Sequence, residues 1–480
     1  MELPKNYLES LKKIDNLDLS KLKDCYNKNS FVGVRFSPKK LFLLSQNKQN
    51  MQKCLQNDAN FNQNDNFFAK TANDFLKSQN FDGQFSPILW CKNGFYYTGT
   101  QKLGKSIFHE LGLYYLQEPS AMAPVEFLGV KPTDVVLDLC ASPGGKSTQI
   151  AQKLDGGFLV ANEIIPSRAK ILAENIQRLG CDNVVVTNHS PKDLENRFLN
   201  FFDKILVDAP CSGEGMFRKS PEACTEWQEN SPNICKARQI EIVQSAYAML
   251  KPNGTMVYST CTFSLEENEE VIKFILDTFV DMEVLPINHE KFGFAQGNDI
   301  DGTGRLNNTA RLYPYLLDGE GHFFAVLHKK NNATPVLPKQ AKNVASKHDV
   351  ALFEKFAKEN GLTKKFDSYV SMGSYLYGNC AITINKLKVV CPGVELGEIK
   401  KDIFIPSYHL AKCLSENQFK NVLEVSGADA IKYISGQEIP ANCNKGWVLL
   451  THKNLPIAFG KVVDGKVKNH YPKILRKQLV

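Results

Sequence analysis

Between residues 111 and 330 the apolar positions gather into short runs: VVLDL (135–139), FLVANE (158–163), NVVVTN (183–188), KILVDA (204–209) and TMVYST (255–260). Helical spacing fills the gaps between them. Such runs are apolar on both faces, and only a sheet covered on both sides buries every residue of a strand. The pattern therefore predicts an α/β fold with a parallel, doubly wound sheet. ARLYPYLL and HFFAVLHKK, flanking the turn-forming DGEG, predict an antiparallel hairpin at its edge.

Outside this region the pattern loosens. Residues 1–110 mix short helical patterns with an Asn/Gln-rich stretch, QNKQNMQKCLQNDANFNQNDN, expected to be polar surface. NNATPVLPKQAKNVASKH (331–348) is polar, carries two prolines and reads as a linker. It opens a linker and helical connector expected over 331–390. Residues 391–480 are rich in strand-like runs and are expected to form a small separate domain. Between WVLLT and IAFGKV, Asn454 and Pro456 predict a hairpin turn.

Bulk properties narrow the class. A chain of 480 residues is long enough for two or three domains. With 43% apolar and 23% charged residues it has the balance of a folded soluble protein. MELPKNYLESLKKIDN has no apolar core of a secretory leader, and no apolar run approaches the roughly 20 residues of a membrane span. A cytoplasmic location without membrane contact is expected. Thirteen cysteines, none in a C-x-x-C pair, give no zinc or disulfide framework. The net charge of +7 is uneven: residues 441–480 hold eight Lys or Arg against Asp464 alone. A basic block of that kind suits a polyanion, although a lysine-rich solvated surface reads the same on charge alone.

The candidate chemistry lies at the strand ends. LDLCASPGGKSTQI (137–150) contains GGKST, half of a phosphate-binding loop, but Cys140 stands where its first glycine belongs. No G-x-G-x-x-G is present either. In doubly wound sheets ligands bind beyond the carboxyl ends of strands, where glycines let the backbone come close, and Gly144 and Gly145 stand there. Glu163 ends the second strand 19 residues after Gly144, the spacing at which an acid accepts hydrogen bonds from ribose hydroxyls. Glu163 could equally cap the turn that follows. The two features together favour a nucleoside over a triphosphate. The fourth strand runs into DAPCSGEG, bringing Asp208 and Cys211 to the same edge, and the fifth into STCTFS, bringing Cys261. Ser264 and Glu267 read as a capping box opening the next helix. Two thiols beside a nucleoside pocket suit one reaction: a thiolate adding to carbon-6 of cytosine makes carbon-5 reactive toward a methyl donor.

LDLCASPGGKST, DAPCSGEGMFRK, YSTCTFSLEENEEVI and RLYPYLLDGEGHFFAVL, in that order, strongly resemble the NOL1/NOP2/Sun family of RNA cytosine-5 methyltransferases. YYLQEPSAM (114–122) resembles the family's entry segment, and the likeness covers about residues 25–330. LKVVCPGVELGEIKKDIFIPSYHLA and GWVLLTHKNLPIAFGKVVDGKVKNHYPK are similar to the PUA-like C-terminal region of the bacterial RsmF branch. The resemblance implies a Rossmann-like methyltransferase domain over 111–330, an α+β RNA-binding region ahead of it and a PUA-like RNA-binding domain over 391–480. It implies S-adenosylmethionine as cofactor, held by Cys140, Ala141, Ser142, Pro143, Gly144, Gly145 and Lys146, with Glu163 at the ribose. Cys261 would bond to the base and Cys211 would assist release. Asp208, between cofactor and base, would bind the cytosine edge, with Lys146 near the target. The family places an acid after the third strand to contact the adenine region. Ungapped spacing puts Ser190 there, which lacks the charge, and Asn188 is the alternative. The expected function is methylation of 16S ribosomal RNA by a monomer. Transfer RNA is the second substrate, since either RNA must unstack a cytosine to present it. A non-catalytic ribosome-assembly factor is the rival reading, disfavoured because it would need neither Cys211 nor Cys261.

Overall fold

The computed structural model describes residues 3–44, 61–330 and 345–479. Most of the Asn/Gln-rich stretch and of the 331–348 linker lies outside the described residues. At the centre is a ten-stranded sheet. Its strands are β1 (Val135–Asp138), β2 (Phe158–Asn162), β3 (Val184–Thr187), β4 (Phe202–Asp208), β5 (Leu250–Thr260), β6 (Met282–Val284), β7 (Ala295–Gln296), β8 (Ala310–Leu312), β9 (His322–Lys329) and β10 (Val389–Cys391). They lie in the order β7-β8-β9-β5-β4-β1-β2-β3-β10, with β6 also on β9. β3, β2, β1, β4 and β5 are parallel, and every remaining pairing is antiparallel. Every residue of β1 and β3 is buried, as their unbroken apolar runs require. The fold is a Rossmann-like α/β methyltransferase fold, and the order reverses at β1/β4, where such sheets bind ligands.

The hairpin expected after DGEG forms, but its first arm pairs over only Ala310–Leu312. Tyr313 and Pro314 leave the sheet there. β9 is not an edge strand, because it also pairs with β5 along most of its length.

A four-stranded antiparallel sheet precedes the methyltransferase sheet, in the order Phe85–Ile88, Cys91–Tyr97, Val32–Phe36, Tyr114–Leu116. The expected boundary at 110/111 cuts through it, since Tyr114 pairs with Phe36. The boundary at 390/391 also fails to separate sheets. Tyr375–Gly378 pairs with Val394–Lys400 in a second four-stranded sheet, while β10 crosses to β3 of the methyltransferase sheet. The closing five-stranded sheet, Val422–Glu424 to Lys466–Asn469, forms the hairpin expected at Asn454. Lys453 and Asn454 both have positive φ, at 51° and 62°, as a tight hairpin turn demands.

This last sheet does not stand apart. Tyr433, Val448, Ile457 and Tyr471 share one hydrophobic core with Phe36, Phe95 and Phe108 of the N-terminal region. Buried Glu110 accepts from Tyr471 Oη at 2.5 Å and pairs with Lys477. At the other end of the chain, Tyr7, Leu11 and Ile14 pack on Phe217, Trp227 and Phe263. Among the described residues no helix is long and apolar enough to cross a membrane.

One buried ion pair ties the antiparallel strands to the carboxyl edge. Arg311 donates Nε to Glu269 Oε1 at 2.6 Å and Nη1 to the carbonyl of Phe263 at 2.8 Å, and its Nη2 meets Glu269 Oε2. Glu269 opens the helix Glu269–Thr278, where a carboxylate also complements the helix dipole. Arg311→Met should therefore cost about 3–5 kcal/mol, because it strands a buried carboxylate. Urea denaturation of the purified variant reads this directly. A loss below about 1 kcal/mol, the scale of a surface pair, would show that the pair does not hold this edge.

Candidate active site

Beyond the carboxyl ends of the parallel strands lies a cavity of about 880 Å³. Cys140, Glu163, Ser190, Asp208, Cys211 and Cys261 all line it. They come from the ends of β1 to β5, so topology alone gathers them.

The loop after β1 is built by glycine. Gly144 has φ +108° and opens the helix Gly145–Ala151. A Cβ there would lie 3.0 Å from Leu172 Cδ1, and one on Gly145 would lie 3.2 Å from Tyr115. The glycines thus let protein pack on protein. Within the loop only Cys140 and Ser142 face the cavity. Ala141 is buried and donates its N–H to Asn162 O, and the carbonyl of exposed Pro143 accepts from the Asn175 amide.

Glu163 lines the cavity and caps the turn that follows it. Oε1 accepts the Ile165 N–H at 2.9 Å, capping the turn, while Oε2 faces Arg168 at 3.7 Å. Ser190 caps the helix Pro191–Glu195 by accepting from Asp193 N, and its side of the turn lines the cavity. Asn188 spends its amide on the carbonyls of Glu163 and Ile164.

At the centre, Lys146 Nζ meets Asp208 Oδ2 at 2.7 Å, and Ser259 Oγ donates to Asp208 Oδ1 at 2.8 Å. Burial opposes ionisation of Asp208, but the Lys146 ammonium outweighs it and holds the carboxyl below its usual range. Lys146 is buried, which disfavours its charge, but Asp208 holds it above its usual range. His322, the first residue of β9, is buried beside them. Burial and the Lys146 charge push it down to about 4, so it is neutral, and its Nε2 has no hydrogen-bond partner. Sequence reasoning missed this histidine. Its position opening the strand after DGEG was the available signal.

The two thiols meet. Cys211 Sγ lies 3.3 Å from Cys261 Sγ and 3.4 Å from the Cys261 N–H. The hydrogen bond to Cys261, then burial, pushes the Cys211 thiol well up, so Cys211 keeps its proton. The expected capping box does not form. The helix starts at Glu269, and Glu267 turns inward to accept from Ser212 N at 2.9 Å. Among the described residues no cluster of His, Cys, Asp or Glu could hold a metal ion.

Sheet order and cavity together define a Rossmann-like methyltransferase. Residues 125–328 match the family described as 16S rRNA methyltransferase RsmB/F. Residues 43–119 match the N-terminal domain of 16S rRNA methyltransferase RsmF, 355–414 the RsmF first C-terminal domain, and 420–477 the RsmF PUA domain. Ribosomal RNA small subunit methyltransferase F of Vibrio vulnificus is 34% identical over 406 residues, 81% of this chain and 85% of that one. Its Vibrio cholerae counterpart is 31% identical over 413 residues, covering 82% and 86%. A methyltransferase homolog from Pyrococcus horikoshii superposes with a TM-score of 0.53 at 28% identity, over 67% of this chain and 93% of that one. The chain belongs to the RsmB/F family of 16S rRNA methyltransferases, and its cofactor is S-adenosylmethionine.

Asp138, at the end of β1, gives this site a pH signature. It is fully buried, accepts from Ser147 Oγ at 2.6 Å, and has no partner on Oδ1. Burial pushes it up from 3.8 to about 7. The folded state therefore holds a proton that the unfolded chain releases, and stability falls as pH rises through that window. Asp138→Asn has no such proton to lose. Its stability relative to wild type should rise by about 1.4 kcal/mol per pH unit between roughly 4 and 7. Denaturation midpoints across that range test this, and parallel curves would refute it.

Proposed function

We propose that this protein methylates carbon-5 of a cytosine in 16S ribosomal RNA through a covalent bond between Cys261 and the base. The observation that carries the reading is the thiol pair 3.3 Å apart on neighbouring strand ends, lining one cavity with Glu163 and Asp208. A protein that only bound RNA would need neither thiol. The ribosomal substrate follows the small-subunit relatives, which share most of the chain.

The cavity suits the cofactor. Ile164 and Ile165, 56% and 44% exposed, offer an apolar wall beside Glu163, fitting a flat adenine next to its ribose. Glu163 would hold the ribose with Oε2, Ser190 the adenine side, and Cys140 and Ser142 of the loop the amino-acid end. S-adenosylmethionine supplies an electrophilic methyl group on a sulfonium.

The protein's own residues do the rest. The Cys261 thiolate adds to carbon-6, and the electron pair of the C5–C6 double bond moves into the ring. Asp208, kept ionised by Lys146, accepts from the cytosine amino group, and Lys146 lies near the negative charge that addition creates. Once carbon-5 carries its methyl group, its proton passes to water, the C6–S bond breaks and the double bond returns. Cys211, still protonated, donates to the departing sulfur. The last sheet supports the RNA: Lys461 lies over the Trp447 ring at 5.6 Å, with exposed Lys466 and Lys468 alongside for phosphates.

Cys261→Ala should abolish methylation and leave cofactor binding intact. Cys211→Ala should trap a covalent protein–RNA adduct, visible on denaturing gels with labelled RNA. An adduct from Cys261→Ala instead would reverse the two roles. Bisulfite sequencing of ribosomal and transfer RNA from a deletion strain names the substrate, and loss of protection only in transfer RNA would move the activity there.

Glu163→Ala should weaken S-adenosylmethionine binding by about 1–3 kcal/mol, the scale of hydrogen bonds to a charged group. Glu163→Gln, which keeps the turn cap, should recover part of that loss. Calorimetry on both variants decides it. Wild-type affinity in Glu163→Ala would remove Glu163 from the cofactor site.

A further inference from the structure

Each cysteine loop sends one buried glutamate into the other. Glu267, in the loop after Cys261, accepts from Ser212 N–H at 2.9 Å and from Ser212 Oγ, in the loop holding Cys211. Glu214, in the loop after Cys211, accepts from Phe263 N–H at 3.1 Å in the other loop. The residues following the two cysteines also meet, Ser212 Oγ and Thr262 Oγ1 lying 2.8 Å apart. Outer donors fix both carboxylates: Gln239 Nε2 at 2.9 Å and Ser264 Oγ at 3.0 Å on Glu267, and Trp227 Nε1 at 3.0 Å on Glu214.

Two buried carboxylates side by side are expensive, and among the described residues neither has a Lys or Arg ion-pair partner. Helices need no such arrangement, since Glu267 caps none. Burial, then Glu267, pushes Glu214 up to about 7, and burial also raises Glu267, against the donors that converge on it. The sulfur–sulfur contact cannot replace them, because thiols are weak donors and weak acceptors. The loops also touch directly: Gly215 N–H donates to Cys261 O at 2.9 Å, and a Cβ on Gly215 would lie 2.4 Å from Gly321 O.

We propose that Glu267 and Glu214 are positioning residues that form a reciprocal clasp, holding Cys211 against Cys261 so that release can follow addition. The role in release rests on the cytosine-5 reading, whereas the spacing of the thiols does not. In Glu267→Gln the amide N–H2 can no longer accept from the Ser212 and Ser264 hydroxyls and the carboxylate's capacity for charged hydrogen bonds is lost, so the clasp loosens while volume is kept.

Phenylarsine oxide tests the spacing without RNA. It bridges two adjacent thiols, forming two arsenic–sulfur bonds and releasing one water, with no change of oxidation state. Peptide mapping, with Cys211→Ser as control, identifies bridging between Cys211 and Cys261. Glu267→Gln should slow that bridging about tenfold, the effect of one lost charged hydrogen bond, with S-adenosylmethionine affinity unchanged. In turnover it should lower kcat at unchanged RNA KM and accumulate the adduct that Cys211→Ala traps. A merely structural defect would lower cofactor affinity and yield no adduct. Glu214→Gln and Ser212→Ala carry the same comparison if Glu267→Gln does not fold. Wild-type bridging in folded variants overturns the clasp. Slowed bridging with no adduct in Cys211→Ala overturns the cytosine-5 reading and leaves the clasp standing.

Discussion

The ion pair between buried Lys146 and half-buried Asp208 sets the electrostatics of the carboxyl edge. A single ammonium and a single carboxylate, 2.7 Å apart, decide which neighbours can carry charge. Asp208 and Asp138 end adjacent strands, with Asp138 opposite Leu206 in the register. Asp208 has Lys146 and is held down, whereas Asp138 has only a serine hydroxyl and is pushed up to about 7. Burial, reinforced by the same ammonium, keeps His322 neutral. Environments that drive like groups apart are how one site holds a permanent acceptor and a proton reservoir side by side.

Distant parts of the chain converge on this edge. Arg35, in the strand Val32–Phe36, is almost wholly buried and donates to Gly145 O at 3.0 Å, Thr148 Oγ1 at 2.7 Å, Gln152 at 2.6 Å and Gln117 at 2.8 Å. Its planar fork grips the first turn of the loop helix, which lysine could not do. On the opposite side, Lys388 lies beside β3. Its N–H donates to His189 Nε2 at 2.7 Å and its carbonyl accepts from Asn188 N, steadying the turn that carries Ser190. The flanking regions thus buttress the cavity from both sides.

The sheet was legible because β1 to β5 are buried on both faces and therefore unbroken in their apolar runs. Strand ends in a doubly wound sheet meet at one edge, so Glu163, Asp208, Cys211 and Cys261 could be brought together from spacing alone. Glu267 was misread because S-x-x-E has the same local signature whether the acid caps its own helix or reaches another loop. Only the fold places Ser212 within its reach. The boundaries at 110 and 390 were misplaced for a related reason. Strands Tyr114–Leu116 and Val394–Lys400 pair backward across them, and pairing partners leave no mark in composition. Arg35 carries no motif, and its importance lies wholly in what surrounds it.

The glycine loop after β1 shows the same limit most sharply. GGKST has the lysine and hydroxyls of a phosphate loop, yet the fold turns each of them inward. Lys146 is committed to Asp208, and Ser147 donates to Asp138 at 2.6 Å. Thr148 donates to Gly144 O at 2.7 Å and accepts from Arg35. Polyphosphate recognition needs these donors free and pointing outward, because the charge to be neutralised lies on the ligand. Here the cation neutralises a carboxylate of the protein, and this corner of the cavity offers an acid, Glu163, followed by two exposed isoleucines. A carboxylate beside an apolar surface suits sugar hydroxyls and a flat base better than a phosphate. The lysine that would mark an ATP site is thus what keeps Asp208 ionised.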